Sequence, residues 1–180
     1  QADRDGLRER LGLNDGLITQ YTRFVVNAAQ GNFGISYRNG QDVLNLIGER
    51  FPATLELVFV ATLISLLVGL PLGVLTAIKR GKWYTEGLQF ISIVGVSLPS
   101  FVVGILLILV FSVSLGWFPA FGRGEVVQLG GWSTGFLTPS GRAALLLPSI
   151  ALSLYQVTLV MRLVRAEMLE VLRSDYVKFA

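Results

Sequence analysis

Four polar side chains crowd the middle of an apolar stretch: Ser153, Tyr155, Gln156 and Thr158, within LSLYQVTLV. A glutamine amide in hydrocarbon is costly unless it meets protein or water. Gln156 therefore reads either as lining a polar path or as half of an interhelical hydrogen bond. SLPS at 97–100 is a second polar point, with Ser97 and Ser100 around Pro99. A helix-interior proline removes one backbone hydrogen bond and disturbs the preceding turn. In lipid the freed carbonyl needs a partner, which the two hydroxyls could supply. Pro71 and Pro148 interrupt two further apolar stretches. Three such breaks suit a bundle that changes shape around a polar path, although proline is also simply more frequent in membrane helices. The candidate path set is Ser97, Pro99, Ser100, Ser153 and Gln156.

Other chemistry is sparse. The sequence has no Cys and no His, which removes thiol nucleophiles, disulfides, Cys/His metal sites and histidine bases together. RGKW at 80–83 has the Gly-Lys of a phosphate loop, but the earlier glycine of G-x-x-x-x-G-K falls at Thr76, inside an apolar run. Neither a catalytic residue nor a metal site is expected. Glu167, Glu170 and Asp175 alternate with arginines and read as a solvated, paired helix face.

The elements that carry these residues belong in a membrane. Of 180 residues 52% are hydrophobic and 15% charged, and Leu57–Ile78 and Phe90–Trp117 carry no charge at all. Soluble domains have about 25% charged residues. The reading is all-α: a polytopic transmembrane bundle with spans at roughly 54–78, 87–115 and 143–164. Residues 1–53 form a separate helical region, including the stretches RDGLRERLGL and DGLITQYTRFVVNAAQ, with Gly31 as a cap. QDVLNLIGERF then follows the membrane surface until Pro52 redirects the chain.

Lys79, Arg80 and Lys82 between the first two spans, and Arg162, Arg165, Arg173 and Lys178 after the third, mark two cytoplasmic regions. The stretch Gly116–Arg142, with seven Gly and two Pro, and residues 1–53 then face outward. Gly69 and Gly73 form a Gly-x-x-x-Gly pair for close helix packing. Beyond the third span the helix continues on an apolar stripe, and Ser174 and Asp175 are placed to start a new one. That helix would expose Tyr176 and Phe179, either as a docking surface or as the face of a surface helix lying against the inner leaflet.

RFPATLEL leading into GLPLGVLTAIKRG, then SLPSF, LLLPSIALS and MRLVRAEMLEVLRSDYV, resemble the integral membrane subunit of dipeptide/oligopeptide/nickel-type ABC importers. The resemblance covers nearly the whole chain, and RAEMLEVLRSDYV is its most specific block. It implies six spans per subunit, of which residues 54–180 hold the second to fourth, so that the sequence is a piece of a longer protein. It also implies a multi-pass subunit of the bacterial inner membrane with a second homologous permease, two cytoplasmic ATPase subunits that hold ATP and Mg, and an extracytoplasmic solute-binding protein. No cofactor in this chain and no nucleic acid is implied.

Ser174, Asp175, Tyr176, Val177, Lys178, Phe179 and Ala180 match the leading edge of the family's ATPase-coupling segment. Phe179 departs from the small polar residue usual there. Peptides are the first expected solute, with nickel or glutathione-like solutes as alternatives. An ion-coupled secondary transporter would need buried ionisable groups, and the spans offer only Glu56 near an edge.

Overall fold

A computed structural model describes residues 15–36 and 38–174. The chain divides into two compact units, Gln1–Phe51 and Pro52–Ala180. The expected helix at RDGLRERLGL lies outside the described residues.

In the first unit, α1 (Leu17–Ala29) ends where Gly31 takes a left-handed conformation, φ 81°. The Gly31 N–H donates to the Ala28 carbonyl, as its capping role requires. An Ile35–Asp42 bridge then closes a tight turn, and the Asp42 carboxylate accepts from the Leu44 N–H at 2.8 Å. This feeds α2 (Val43–Ile78), which is continuous through both Pro52 and Pro71. The expected redirection at Pro52 does not occur. One proline removes one helical hydrogen bond, and the long apolar helix on either side holds the turn together.

The stretch expected as the second span, 87–115, is not one straight helix. It consists of α3 (Trp83–Ser97) and α4 (Ser100–Leu107), the latter continued by a π-helical segment Ile108–Ser114. The two halves meet at 102°. Leu98 before Pro99 is extended (φ −88°, ψ 129°), the conformation that a following proline favours. Pro99 thus stands before α4 rather than inside a helix, and its carbonyl accepts from the Val102 and Val103 N–H groups.

Residues 116–138 are more ordered than a glycine-rich loop. Strands β1 (Val127–Leu129) and β2 (Trp132–Thr134) pair antiparallel around Gly130-Gly131. Gly130 has φ 64°, the left-handed conformation a two-residue hairpin turn demands. Next, α5 (Pro139–Val171) starts with Thr138 accepting from the Gly141 N–H at 3.0 Å and Pro139 in the first turn. Helices α2 and α5 are each long and apolar enough to cross a membrane, and the bent α3–α4 pair passes the same test as one segment.

Small residues make the core of the second unit. Ala61, Ser65, Gly69, Gly73 and Thr76 are buried on α2 at spacings of three or four, a stripe that admits close helix contact. A Cβ on Gly73 would lie 2.7 Å from Val164 Cβ and one on Gly69 would lie 2.9 Å from Val160 Cβ. These contacts advance together along both helices, so α2 and α5 run parallel, with α3 and α4 between them in sequence. Buried hydroxyls bond back into their own helices: Ser65 to the Thr62 carbonyl at 2.7 Å and Thr76 to that of Leu72 at 2.8 Å.

Gly73→Ala should destabilise the protein by about 1–3 kcal/mol through overpacking. Val164→Ala in the same molecule should recover most of that loss. Thermal melting of the purified protein in detergent checks both, and equal melting of the single variant and the parent would refute the close contact.

Candidate functional site

The break between α3 and α4 faces the middle of α5. Pro99 and Ser100 from the break, Gly95 from α3, and Tyr155 and Gln156 from α5 line a cavity of about 330 Å³. Gln156 is half-buried, and its amide has no hydrogen-bond partner among the described residues. A second cavity of about 470 Å³ shares Ser100, Ala151 and Leu152 with the first and extends to Pro148 and Pro119–Gly122. Together they trace a groove along the α4–α5 seam, from the helix break to the glycine-rich segment. Gly104 faces Ala151 across the seam, where an added Cβ would stand 3.9 Å from Ala151 Cβ, an ordinary van der Waals contact. The lining is apolar, with a hydroxyl, a phenol and an amide as neutral hydrogen-bonding groups.

Pro99, Ser100 and Gln156 therefore meet, while the other two candidates lie elsewhere. Ser97 is exposed and donates to the Ile93 carbonyl at 2.9 Å, so it supports the last turn of α3. Ser153 is buried and donates to the Ile150 carbonyl at 3.0 Å. Neither lines the groove. Ser174 donates to the Val171 carbonyl at 2.6 Å, closing the end of α5. Its expected capping contact involves Asp175–Ala180, which lie outside the described residues. Glu167 and Glu170 form no ion pair with an arginine among the described residues, so the expected paired face is a solvated one.

The sequence reading passes over Glu56, which it places near an edge. Its side chain is 2% exposed. The Gly135 N–H donates to both carboxylate oxygens, at 3.3 and 3.2 Å, and the Arg123 guanidinium stands 3.6 Å away. Arg123 also donates to the Ser133 hydroxyl at 3.0 Å and carbonyl at 2.7 Å. Thr138 donates to the Glu125 carbonyl at 2.5 Å. This network ties the glycine-rich segment to α2 and to the first turn of α5. The available signal was a lone carboxylate in a transmembrane stretch, which implies a named partner.

At the opposite end, Arg80 from the α2–α3 turn and Arg165 from α5 line common cavities. The two cationic regions thus share one end of the bundle, and the glycine-rich segment takes the other.

Apolar helices of spanning length, small-residue seams and a broken segment between them define an α-helical integral membrane protein. Residues 69–180 match the family model described as binding-protein-dependent transport system inner membrane component, and the chain belongs to that family. It is 39% identical to the oligopeptide transport system permease protein AppB of Bacillus subtilis, over 100% of this chain and 55% of the relative. It is also 39% identical to the di/tripeptide transport system permease protein DppB of Pseudomonas aeruginosa, over 95% of this chain and 54% of the relative. Identity to the probable D,D-dipeptide transport system permease protein DdpB of Escherichia coli is 35%, over 98% and 56%. The chain spans about half the length of the curated relatives it matches.

Glu56→Leu should destabilise by about 1–3 kcal/mol, because the Gly135 N–H and Arg123 lose a shared acceptor. Glu56→Gln, which keeps one acceptor, should cost less. Limited trypsin digestion checks this directly: cleavage after Arg123 should accelerate in Glu56→Leu, and an unchanged rate would refute the tether.

Proposed function

We propose that the chain is part of the membrane-spanning subunit of an ATP-driven importer for short peptides, with the α4–α5 groove on the solute's route. The observation that carries this reading is Gln156, an amide without a hydrogen-bond partner among the described residues, opposite the Pro99–Ser100 break in a largely apolar groove. Irregular backbone at membrane depth is tolerated where it lines a cavity or is covered by protein. Neutral donors and acceptors there suit the amide groups of a peptide, and the relatives' names support that solute class.

In this reading the cationic end lies in the cytoplasm and the glycine-rich end faces the solute-binding protein across a bacterial inner membrane. A second permease completes the pathway, and two ATPase subunits bind ATP and Mg. Ser174, Asp175, Tyr176, Val177, Lys178, Phe179 and Ala180 start the segment that docks on an ATPase. Glu56 is the buried carboxylate an ion-coupled transporter would use, but its bonds to Gly135 and proximity to Arg123 give it a structural task.

Three measurements on the complete complex test this. Gln156→Leu should lower peptide uptake several-fold while the ATPase subunits still co-purify, and undiminished uptake would remove Gln156 from the route. Tyr176→Asp with Phe179→Asp should abolish ATPase co-purification; retained binding would sink the docking role. Uptake into vesicles should need ATP and survive a protonophore, whereas collapse with the proton gradient would favour ion coupling.

A further inference from the structure

The cationic end of the bundle holds positive charge that the described residues do not neutralise. Arg80, Arg165 and Arg173 line one cavity with Glu170, and Arg80 and Arg165 line an adjoining one with Glu86. No ion pair joins these arginines to either glutamate among the described residues. One terminal nitrogen of Arg165 is buried without a hydrogen-bond partner among the described residues. A buried guanidinium N–H without an acceptor is unfavourable, and guanidinium groups pair best with carboxylate or phosphate oxygens.

The surroundings select the anion. The adjoining cavity is also lined by Phe90 and Ile93 of α3, which are 68% and 59% exposed. Arginines beside exposed apolar side chains, where a spanning helix ends, match an amphiphile with an anionic head and an acyl chain. We infer that Arg80, Arg165 and Arg173 form a site for the phosphate of an anionic phospholipid headgroup, with the acyl chain running along Phe90 and Ile93. Basic pockets between transmembrane helices bind such headgroups by charge and hydrogen bonding. The inference rests on the chain being a membrane protein, not on peptide import.

The test uses the complete complex in vesicles of phosphatidylcholine with phosphatidylglycerol as the minor component, followed by native mass spectrometry. The parent should retain phosphatidylglycerol, and Arg80→Gln with Arg165→Gln should lose it several-fold while the ATPase subunits still co-purify. Arg162→Gln, an exposed arginine of α5 lining neither cavity, should retain lipid. If the double variant does not purify, Arg80→Gln alone, at an exposed position, decides. Undiminished lipid retention overturns the site. Lost ATPase subunits with lipid retained would make the cavity a protein docking surface instead. A rise in melting temperature with inorganic phosphate equal to that with phosphatidylglycerol would make it a free-anion site, also overturning the lipid assignment.

Discussion

Hydrocarbon offers a backbone no hydrogen bonds, and this constraint organises the second unit of the protein. The spanning stretches are helical except at the Leu98–Pro99 break, and buried hydroxyls such as Ser65, Thr76 and Ser153 bond to carbonyls of their own helix. With these hydroxyls satisfied locally, helix association depends on fit rather than on a hydrophobic gain. The Gly69–Gly73 stripe of α2 meets Val160 and Val164 of α5 at distances that leave no room for a Cβ. A larger residue there would part the helices that hold the broken segment in place.

The same constraint gives the α3–α4 break its meaning. Leu98 and Pro99 leave helical geometry at 102° between the halves, so peptide groups there must find partners outside a helix. The cavity beside Gln156 adjoins this break. Charge is handled at the two ends. At one end Glu56 is satisfied by the Gly135 N–H and Arg123; at the other, Arg165 retains a buried nitrogen with no partner among the described residues. The first end is closed upon itself, and the second is open to an anion.

Much of this was legible from residue types. Uncharged runs located the apolar segments, and Gly31 marked the end of α1 because its left-handed backbone is available to glycine at little cost. The block RAEMLEVLRSDYV pointed to the family that the comparisons show. Pro52 and Pro99 illustrate the limit, since only one of them interrupts a helix. Local preference before a proline is weak enough for the packing of neighbouring turns to overrule it. The hairpin around Gly130-Gly131 did have a signal, two glycines between β-prone residues, but the surrounding glycines obscured it.

From the sequence alone followed the membrane class, the approximate segments, the cationic regions and the small-residue face, because each depends on composition or spacing within one element. Tertiary structure decided which polar residues share a site. Pro99 and Ser100 are far from Gln156 in sequence yet line one cavity with it, whereas Ser97 and Ser153, chosen on the same grounds, bond within their own helices. It also brought Glu56 beneath Gly135 and Arg165 beside Arg80. A side chain's direction around its helix and the identity of the facing helix are set by packing between distant segments, and no local pattern encodes that.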